Sequence, residues 1–316
     1  MIDFIINPKS RSGAAYGIWE KTKRLLDERG AEYRFHQTEY AGHAMKIAQE
    51  LTWEEDGGQK GRTLVVVGGD GTVNEVLNGI DRESNVTLGY LPTGSGNDFA
   101  RSMGMISDLD HSLEQAVEKI LHPSRYRILD YGVVETGMGE DRSSRRFMVS
   151  SGIGFDAAVC HNLLHSTAKK ILNKIHLTKL CYIAIGLKQI ILTKPVDGVL
   201  KLEDGRTIPL KKTAFLSAHI HPYEGGGFCF APGADYEDGR LDICVVADTG
   251  RIHMVPVLLS ALWGKHTHMA GVKMYRCRGA TICLDEPKPV HADGESCGIQ
   301  REMTVTCIPK GIKVIV

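Results

Sequence analysis

Along the first 130 residues, the spacing between hydrophobic residues changes repeatedly. Short β-branched apolar blocks alternate with segments in which apolar residues recur every three or four positions. The blocks are typical of strands buried on both faces, and the longer period predicts helices with one packed face. Repeated strand–helix units with short connections predict a parallel sheet covered by helices over residues 1–129. The predicted strands are 2–6, 33–36, 63–67 and 86–91, and the predicted helices follow residue 13, span 41–51, begin near 72 and span 109–121.

The pattern changes near residue 130. Short alternating segments separated by turns follow, including a hairpin around Asp204 and Gly205. This pattern predicts a mainly antiparallel second domain over residues 130–310, interrupted by helical stretches at 157–192 and 251–263. The apolar segment 311–316 is predicted to be a buried strand that returns to the first domain.

Composition narrows the class of protein. The 316 residues carry 38 basic and 38 acidic side chains, so no overall field favours nucleic acid and no such partner is expected. Eight cysteines without a C-x-x-C pair indicate core thiols in a reducing compartment, and they argue against zinc. The sequence opens on a strand-like segment without a leader pattern, and no apolar run approaches the roughly 20 residues of a membrane-spanning helix. We therefore expect a cytoplasmic protein.

The segment 63–80 carries the strongest chemical signal. A buried-strand block is followed by Gly68, Gly69 and Gly71, and then by helical spacing. Strand, glycine turn and helix together direct backbone N–H groups at an anion such as phosphate. Asp70 would repel that phosphate unless a divalent cation lies between them. The alternative, a tight turn with an exposed aspartate, is the weaker interpretation.

A second glycine turn follows the next predicted strand, within residues 91–101. Gly94, Ser95 and Gly96 could present backbone and hydroxyl donors to a phosphate or ribose. Asn97 is positioned to cap the next helix through its side chain. A simple turn with a helix cap would explain this segment alone, but its pairing with the first glycine turn favours a nucleotide site.

Four tracts together resemble the bacterial diacylglycerol kinase catalytic-domain family: GGDGTVNEVLNG, LPTGSGNDFAR, the opening NPKSRSG at residues 7–13, and the late DGE. Their order and separation match over nearly the whole chain. The resemblance implies an α/β nucleotide-binding domain, as in NAD kinases and diacylglycerol kinases, and a β-sandwich-like C-terminal domain with the active site in the cleft between them. It also implies ATP and Mg²⁺ as cofactors and a membrane lipid as substrate.

Carried over by position, the resemblance assigns nucleotide contacts to both glycine turns and to two earlier loops. The opening tract departs from the commoner NPxSG because Arg11 and Ser12 separate Ser10 from Gly13. The implied contacts are Asn7, Pro8, Lys9, Ser10, Gly13, Thr38, Gly68, Gly69, Asp70, Gly71, Thr72, Asn74, Glu75, Gly94, Ser95 and Asn97.

The same resemblance makes Glu295 of DGE the catalytic base. A lipid hydroxyl is a poor nucleophile, and a positioned carboxylate can accept its proton as the bond to phosphorus forms. Asp293 would form the turn that presents Glu295. Asp70 is the first candidate ligand of the catalytic Mg²⁺, with Asp130 as a weaker partner. Taken alone, DGE would be an exposed hairpin turn.

A second Mg²⁺ site, structural in role, is implied at residues 234–242. Its matching positions are Asp235, Asp238 and the backbone carbonyl of Arg240, and hard oxygen ligands around a glycine turn suit this ion. An acidic β-turn without metal is the alternative. The glycine pair Gly152 and Gly154 fits a dinucleotide-binding pattern, but no acidic residue follows to hold a ribose, so a strand-end turn is preferred.

Residues 157–196 contain no aspartate or glutamate. Apolar residues interleave with the lysines, as in helices that bind anionic bilayer surfaces. Peripheral membrane association is therefore predicted, and a core-packed helix with a solvated basic face is the alternative. The lysines are Lys169, Lys170, Lys174, Lys179, Lys188 and Lys194.

These observations predict an ATP-dependent lipid kinase, with diacylglycerol as the first candidate acceptor and phosphatidic acid as its product. Two alternatives stay open: a soluble-metabolite kinase such as an NAD kinase, and a nucleotide-regulated lipid-binding protein without turnover. No motif separates diacylglycerol from undecaprenol, phosphatidylglycerol or sphingoid bases. A homodimer is also open.

Overall fold

The computed structural model describes residues 1–53, 61–105, 109–137, 139–164 and 193–316. Contacts divide the chain into two compact units. The first comprises Met1–Leu129 and Lys310–Val316, and the second comprises Asp130–Pro309. Each is described by itself.

A parallel sheet forms the centre of the first unit. Its strands are β1 (Ile2–Ile6), β2 (Tyr33–Gln37), β3 (Arg62–Gly68), β4 (Val86–Pro92) and the last residues of β14 (Glu295–Ile315). They are arranged in the order β2-β1-β3-β4-β14, and Lys313 and Val314 pair with Thr87 and Leu88. The β-branched block of β3 lies in the middle of the sheet, where both faces are covered.

Helices cover this sheet because each has one apolar stripe. They are α1 (Ala14–Glu28), α2 (His43–Thr52), α3 (Asp70–Gly79), α4 (Asp98–Ser102) and α5 (Leu109–Leu121). Trp19 and Leu26 of α1 and Val117 of α5 pack with Phe4 and Val65 of the sheet in one buried cluster. This burial holds the strands rigidly under the loops that follow them.

Backbone hydrogen bonds continue past the strand ends and fix where those loops leave the sheet. The N–H of Asn7 donates to Val67 O at 2.9 Å, that of Thr38 to Ile6 O at 2.8 Å, and that of Thr93 to Gly68 O at 2.7 Å. Because the strands are parallel, the loops after β1, β2, β3 and β4 all leave from the same edge, where ligands of such sheets bind.

The second unit is built from antiparallel strands. They are β5 (Tyr126–Thr136), β6 (Ser143–Phe147), β7 (Ser150–Gly154), β8 (Val196–Leu202), β9 (Thr207–Thr213), β10 (Phe215–His219), β11 (Leu241–Val246), β12 (Val272–Cys277) and β13 (Gly279–Ala292). Neighbouring strands follow the order β12-β11-β10-β7-β13-β14, with β8 on β13, β9 on β8, and β5 paired with β6.

Among the residues described in this unit, α6 (Phe155–Leu164) and α7 (Arg251–Ala261) are α-helices. Met254 and Val257 of α7 pack with Phe215 and Cys244 of the sheet. A larger apolar cluster, which includes Leu200, Leu216, Ile282 and Met303, forms the core of the unit.

The predicted fold class is confirmed: an α/β unit with a parallel sheet and a mainly antiparallel second unit. The sequence pattern missed α4 and β12, both short. The helix predicted at 157–192 begins at Phe155 and is described to Leu164, and the rest of that prediction lies outside the described residues. In the part of the chain that the structure describes, no helix combines the length and hydropathy needed to cross a bilayer.

Candidate active site

The first glycine loop (residues 68–71) joins β3 to α3. Gly68 ends the strand and α3 begins at Asp70, so only Gly69 separates the strand from the helix. A methyl group on Gly68 would come 2.6 Å from Thr72 Oγ1, which explains why glycine is required. The N-terminus of α3 directs backbone N–H groups and the positive end of the helix dipole toward this loop, an arrangement suited to an anion.

The second glycine loop (residues 92–97) lies beside the first. A methyl group on Gly69 would come 3.0 Å from Gly94 Cα, and one on Gly94 would come 2.6 Å from Gly69 Cα. The two loops therefore pack backbone against backbone. Ser95, also a predicted contact, is exposed next to this junction.

The opening loop (residues 7–13) is fastened to both glycine loops. Asn7 Nδ2 donates to Thr72 Oγ1 at 3.1 Å, and Ser10 Oγ donates to the carbonyl of Thr93 at 3.1 Å. Residues Ser10–Gly13 form one turn of 3₁₀ helix, in which Arg11 (φ 47°) and Gly13 (φ 97°) are left-handed. This turn accommodates the two residues that separate the tract from NPxSG.

Asp70 receives two backbone N–H groups, from Asp98 at 3.0 Å and from Phe99 at 3.3 Å. Its carboxylate thus caps α4 from the neighbouring loop. The prediction that the Asn97 side chain caps this helix is wrong. Asn97 is left-handed (φ 52°), and its Oδ1 instead accepts the N–H of Gly94 at 2.9 Å. The sequence pattern assigns the cap of α4 to the residue next to the helix, but Asp70 of the first glycine loop supplies it.

Asp98 is a site residue that the sequence interpretation missed. It is buried one position after the second glycine loop, and Asp70 and Asp98 both act on the buried phenol of Tyr90. Burial, and then these two carboxylates, raise the pKa of Tyr90 well above its usual value. The sequence signal that could have identified Asp98 is its position directly after a glycine loop of the phosphate-binding type.

The remaining predicted nucleotide residues also lie at this edge. Glu75 of α3 accepts the N–H groups of Gly42 at 2.8 Å and Ala44 at 3.1 Å, and so holds the start of α2. Thr38 and Asn74 are buried, and Lys9 donates from Nζ to the carbonyl of Glu39 at 3.0 Å. Pro8 and Gly71 lie within the loops already described. The first unit therefore brings all predicted nucleotide contacts to one edge of its sheet.

The DGE turn (residues 293–295) joins β13 to β14 in the second unit. Ala292 pairs with Glu295, so Asp293 and Gly294 form a two-residue hairpin turn. Both turn residues are left-handed, with φ of 49° and 83°. This is the type I′ geometry for which Asp-Gly is preferred. It places the half-buried Glu295 at the first position of a strand.

Asp293 anchors this turn. Its Oδ2 accepts the N–H of Met148 at 2.7 Å, and its Oδ1 accepts those of Val149 at 2.8 Å and Ser150 at 3.0 Å. Its own N–H donates to Ser150 O at 2.8 Å. The Asp293 carboxylate thus accepts hydrogen bonds from three backbone N–H groups. Of the two carboxylates in the DGE motif, that of Glu295 is the one suited to exchange a proton with a ligand.

The acidic loop (residues 234–242) lies elsewhere in the second unit. Asp235 Oδ1 accepts the N–H of Glu237 at 3.0 Å, and Asp238 Oδ1 accepts that of Arg240 at 2.9 Å. Asp130, predicted as a partner of the catalytic ion, accepts the N–H of Gly239 at 2.6 Å in this loop.

Charge at the acidic loop is unbalanced. Arg276 lies 3.6 Å from Asp238 and 3.2 Å from Asp242. Burial raises the pKa of Asp242, Arg276 lowers it, and Asp238 and Asp235 raise it again. The loop thus brings the carboxylates of Asp235, Asp238 and Asp242 near Arg276, and these hard oxygens fit Mg²⁺.

A buried cluster close to the DGE turn had no sequence signal. Atoms of Asp156, Glu224 and His291 suited to bind a metal lie within 4.8 Å of one another. The three residues come from α6, the segment after β10, and β13. The glycine pair in front of Asp156 ends β7 and is followed directly by α6.

Comparison with known proteins agrees with this geometry. Residues 2–126 match the diacylglycerol kinase catalytic domain, and residues 152–316 match the YegS C-terminal NAD kinase beta sandwich-like domain. The chain is 31% identical over 296 residues to YtlR of Bacillus subtilis (strain 168), which is named as a candidate lipid kinase, and the match covers 93% of each protein. It is 25% identical over 297 residues to a diacylglycerol kinase of the same organism, with 93% of this chain and 89% of that protein covered.

A solved structure from Bacillus anthracis str. Sterne, described as a candidate diacylglycerol kinase, superposes with a TM-score of 0.74 at 22% identity. It covers 99% of this chain and 94% of the other, and at this identity it bears on the fold alone. The chain belongs to the family of lipid kinases that combine these two domains, and it is a diacylglycerol kinase-like enzyme.

Proposed function

We propose that the protein transfers the γ-phosphoryl group of ATP to a hydroxyl group of a membrane lipid, with diacylglycerol as the first candidate and phosphatidic acid as the product. The observation that carries the proposal is the backbone junction of Gly69 and Gly94 at the end of a parallel sheet. Such a cradle lets phosphate oxygens approach main-chain N–H groups closely.

The opening loop contributes to the same cradle. Hydrogen bonds from Asn7 to Thr72 and from Ser10 to Thr93 keep the three loops in fixed register, so donor groups are ordered before the nucleotide binds. Pre-ordered donors lose little entropy on binding, and this favours precise orientation of the γ-phosphate.

Glu295 is proposed as the base. The acceptor oxygen forms a bond to the γ-phosphorus, the bond from that phosphorus to the β–γ bridging oxygen breaks, and ADP leaves. The proton of the hydroxyl passes to the Glu295 carboxylate and then to solvent. Asp293 holds the turn through its three N–H partners and does not exchange the proton.

The carboxylates of Asp70 and Asp98 fit a catalytic Mg²⁺, because each belongs to or directly follows a glycine loop where the phosphates are proposed to lie, and both are near enough to Tyr90 to raise its pKa. When bound, the ion neutralises phosphate charge during transfer. Asp235, Asp238 and the carbonyl of Arg240 are proposed to hold a second, structural Mg²⁺. ATP as donor follows from the kinase family, and the choice of ATP over other nucleotides is part of this proposal.

Peripheral membrane binding through the lysine-rich stretch is proposed on its sequence alone, because residues 165–192 lie outside the described residues. Replacing several of its lysines by glutamine is expected to reduce co-sedimentation with anionic vesicles. Unchanged binding would overturn this part of the proposal.

The function is tested by incubating the protein with γ-labelled ATP, Mg²⁺ and detergent-dispersed lipids. Labelled phosphatidic acid from diacylglycerol is the expected product. Parallel reactions with undecaprenol, phosphatidylglycerol and a sphingoid base would identify another lipid acceptor. A labelled product from NAD alone would establish a soluble-metabolite kinase, and absence of turnover with retained ATP binding would indicate a nucleotide-regulated lipid-binding protein. Either of the last two results would overturn the proposal.

A further inference from the structure

The cluster of Asp156, Glu224 and His291 is part of the packing of the second unit. Their relative exposures are 6%, 8% and 1%, so all three are removed from solvent. Gly152 of β7 leaves room for them, since a methyl group there would overlap Asp156 Oδ2 and come 3.1 Å from His291 Nε2. Buried carboxylates persist only when partners compensate them, so this arrangement needs an explanation.

The imidazole of His291 connects two different environments. Nε2 lies 3.3 Å from Asp156 Oδ2 and 3.5 Å from Glu224 Oε1. Nδ1, on the other side of the ring, accepts the backbone N–H of Gly294 at 3.1 Å. Gly294 is the middle residue of the DGE turn, so the ring links the buried carboxylates to the segment that carries Glu295.

This hydrogen bond argues against a metal ion in the cluster. A neutral histidine that binds a metal through Nε2 carries its proton on Nδ1 and donates from there. Here a backbone N–H points at Nδ1, so Nδ1 accepts and the ring proton lies at Nε2. The geometry therefore favours a cluster that holds a proton and positions the turn.

The charged groups around the imidazole of His291 favour a proton on the ring. The groups that face it are Asp156 from α6, Glu224 from the segment after β10, Asp293 from the turn and His219 from β10. Burial lowers the pKa of His291, but Glu224, Asp156 and Asp293 together raise it to about 9. Since Gly294 keeps Nδ1 an acceptor, the ring proton is held at Nε2, where it faces Asp156 and Glu224.

The pKa of His219 is shifted in the opposite direction from that of His291. Burial, and then the nearby His291, lower its pKa to about 3, with a smaller contribution from His266. His219 is therefore neutral where the cluster keeps its proton. The ring proton that faces the two buried carboxylates is therefore the one on His291 Nε2.

We propose that His291, held by Asp156 and Glu224, positions the DGE turn so that Glu295 is oriented toward the acceptor hydroxyl. This inference rests on the proposed function, in which Glu295 is the base. The bond from Gly294 to His291 holds one side of the turn, and the three bonds to Asp293 hold the other. A displacement of about 1 Å at such a group can cost roughly 100-fold in rate.

Two substitutions of His291 separate this role from packing. In His291→Asn the amide oxygen takes the place of Nδ1 and can accept from Gly294, but contact with the carboxylates is lost. In His291→Gln the terminal amide takes the place of Nε2 and can donate to the carboxylates, but Gly294 loses its acceptor. Both variants remove the aromatic ring, so each serves as the control for the other.

We expect His291→Gln to lower kcat roughly 10- to 100-fold with the KM for ATP unchanged, and His291→Asn to keep kcat within roughly threefold of the parent. If the residue only supports packing, kcat will follow the thermal stability of the two variants and not the presence of an acceptor. Equal kcat values, or a slower asparagine variant, would overturn the inference.

A measurement on the nucleotide-free protein does not depend on turnover. With ¹⁵N-labelled histidine, NMR is expected to show His291 with a bare Nδ1 and a protonated Nε2, unchanged by added Zn²⁺. The resonance is assigned by its loss in the His291→Asn variant. A protonated Nδ1 or a zinc-induced shift would overturn the inference. A parent protein inactive on every lipid, but with the expected NMR signature, would overturn the proposed function alone.

Discussion

Gly69 and Gly94 meet through their backbones, because a methyl group on either one would come within 3.0 Å or less of the other's Cα. Two loops that follow neighbouring strands are thereby joined into one surface. Neither loop alone would fix the direction of its N–H groups as closely, since a loop packed on one side only can shift against its neighbour. In the proposed function, this junction is what turns two otherwise ordinary loops into a nucleotide site.

Substitution of Gly94 by alanine is therefore expected to weaken ATP binding by at least roughly tenfold, because the methyl group would separate the loops and also meet Asn97 Oδ1 at 2.6 Å. Isothermal titration calorimetry with ATP and Mg²⁺ measures the change. Gly17→Ala is the matched control, since nothing lies within 4 Å of its added methyl group in α1. The control should bind ATP normally and gain up to about 1 kcal/mol in unfolding free energy. Normal binding by Gly94→Ala would contradict the cradle.

Replacing Glu295 by glutamine keeps the shape of the side chain and removes its basicity. We expect kcat for lipid phosphorylation to fall roughly 10²- to 10⁴-fold, the usual contribution of a general base, with an unchanged circular dichroism spectrum. Glu286→Gln, an exposed carboxylate on the adjacent strand β13, is the control and should leave kcat unaltered. Parent-like turnover of the Glu295 variant would remove this residue from the base role.

Asp293→Asn tests the anchor of the turn by stability. An amide offers one oxygen where the carboxylate served three N–H groups, so at least one buried donor loses its acceptor. The unfolding free energy is expected to fall by about 1–3 kcal/mol in urea denaturation. Asp285→Asn, an exposed position on β13, should change it little. Equal stability of the two variants would show that the three bonds contribute little.

Buried neutral histidines predict a loss of stability in mild acid. Burial lowers the pKa of His221 to about 3, and burial together with His291 does the same for His219. Below the unfolded pKa of about 6.5 the unfolded chain binds protons that the folded protein excludes, so acid favours unfolding. Each histidine is expected to remove about 2 kcal/mol of unfolding free energy between pH 7 and pH 5.

Urea titrations between pH 7 and pH 5 measure how the unfolding free energy depends on pH. Most carboxylates stay ionised in this range. His221→Phe keeps a ring beside Tyr236, whose centroid lies 4.6 Å away, and should remove about half of the dependence. A flat profile from pH 7 to pH 5 would contradict the neutral state of the two histidines.

The sequence predicted the elements whose signals are local. Gly68, Gly69 and Gly94 mark turns that only glycine allows, and the β-branched blocks before them identify buried strands. The fold class followed from this alternation. Local signals also explain why α4 was missed, because five residues are too few for a helical period to be visible.

Relationships between distant segments could not be predicted in the same way. Asn97 has the residue type and position of a helix cap, yet Asp70 supplies the cap from another loop. Asp156, Glu224 and His291 are far apart in sequence, and each looks like an ordinary polar residue in its own segment. Their contact depends on how β7, β10 and β13 pair, which a single sequence does not specify.

Strand β14 begins at Glu295 and ends at Ile315, where it adds the final parallel strand beside β4. A ribosome makes that strand about 220 residues after β4, so the sheet of the first unit must keep an open edge until the second unit has been synthesised. The first unit is accordingly expected to complete its folding only after the second unit has been made, and to depend on the end of β14 for protection against mispairing.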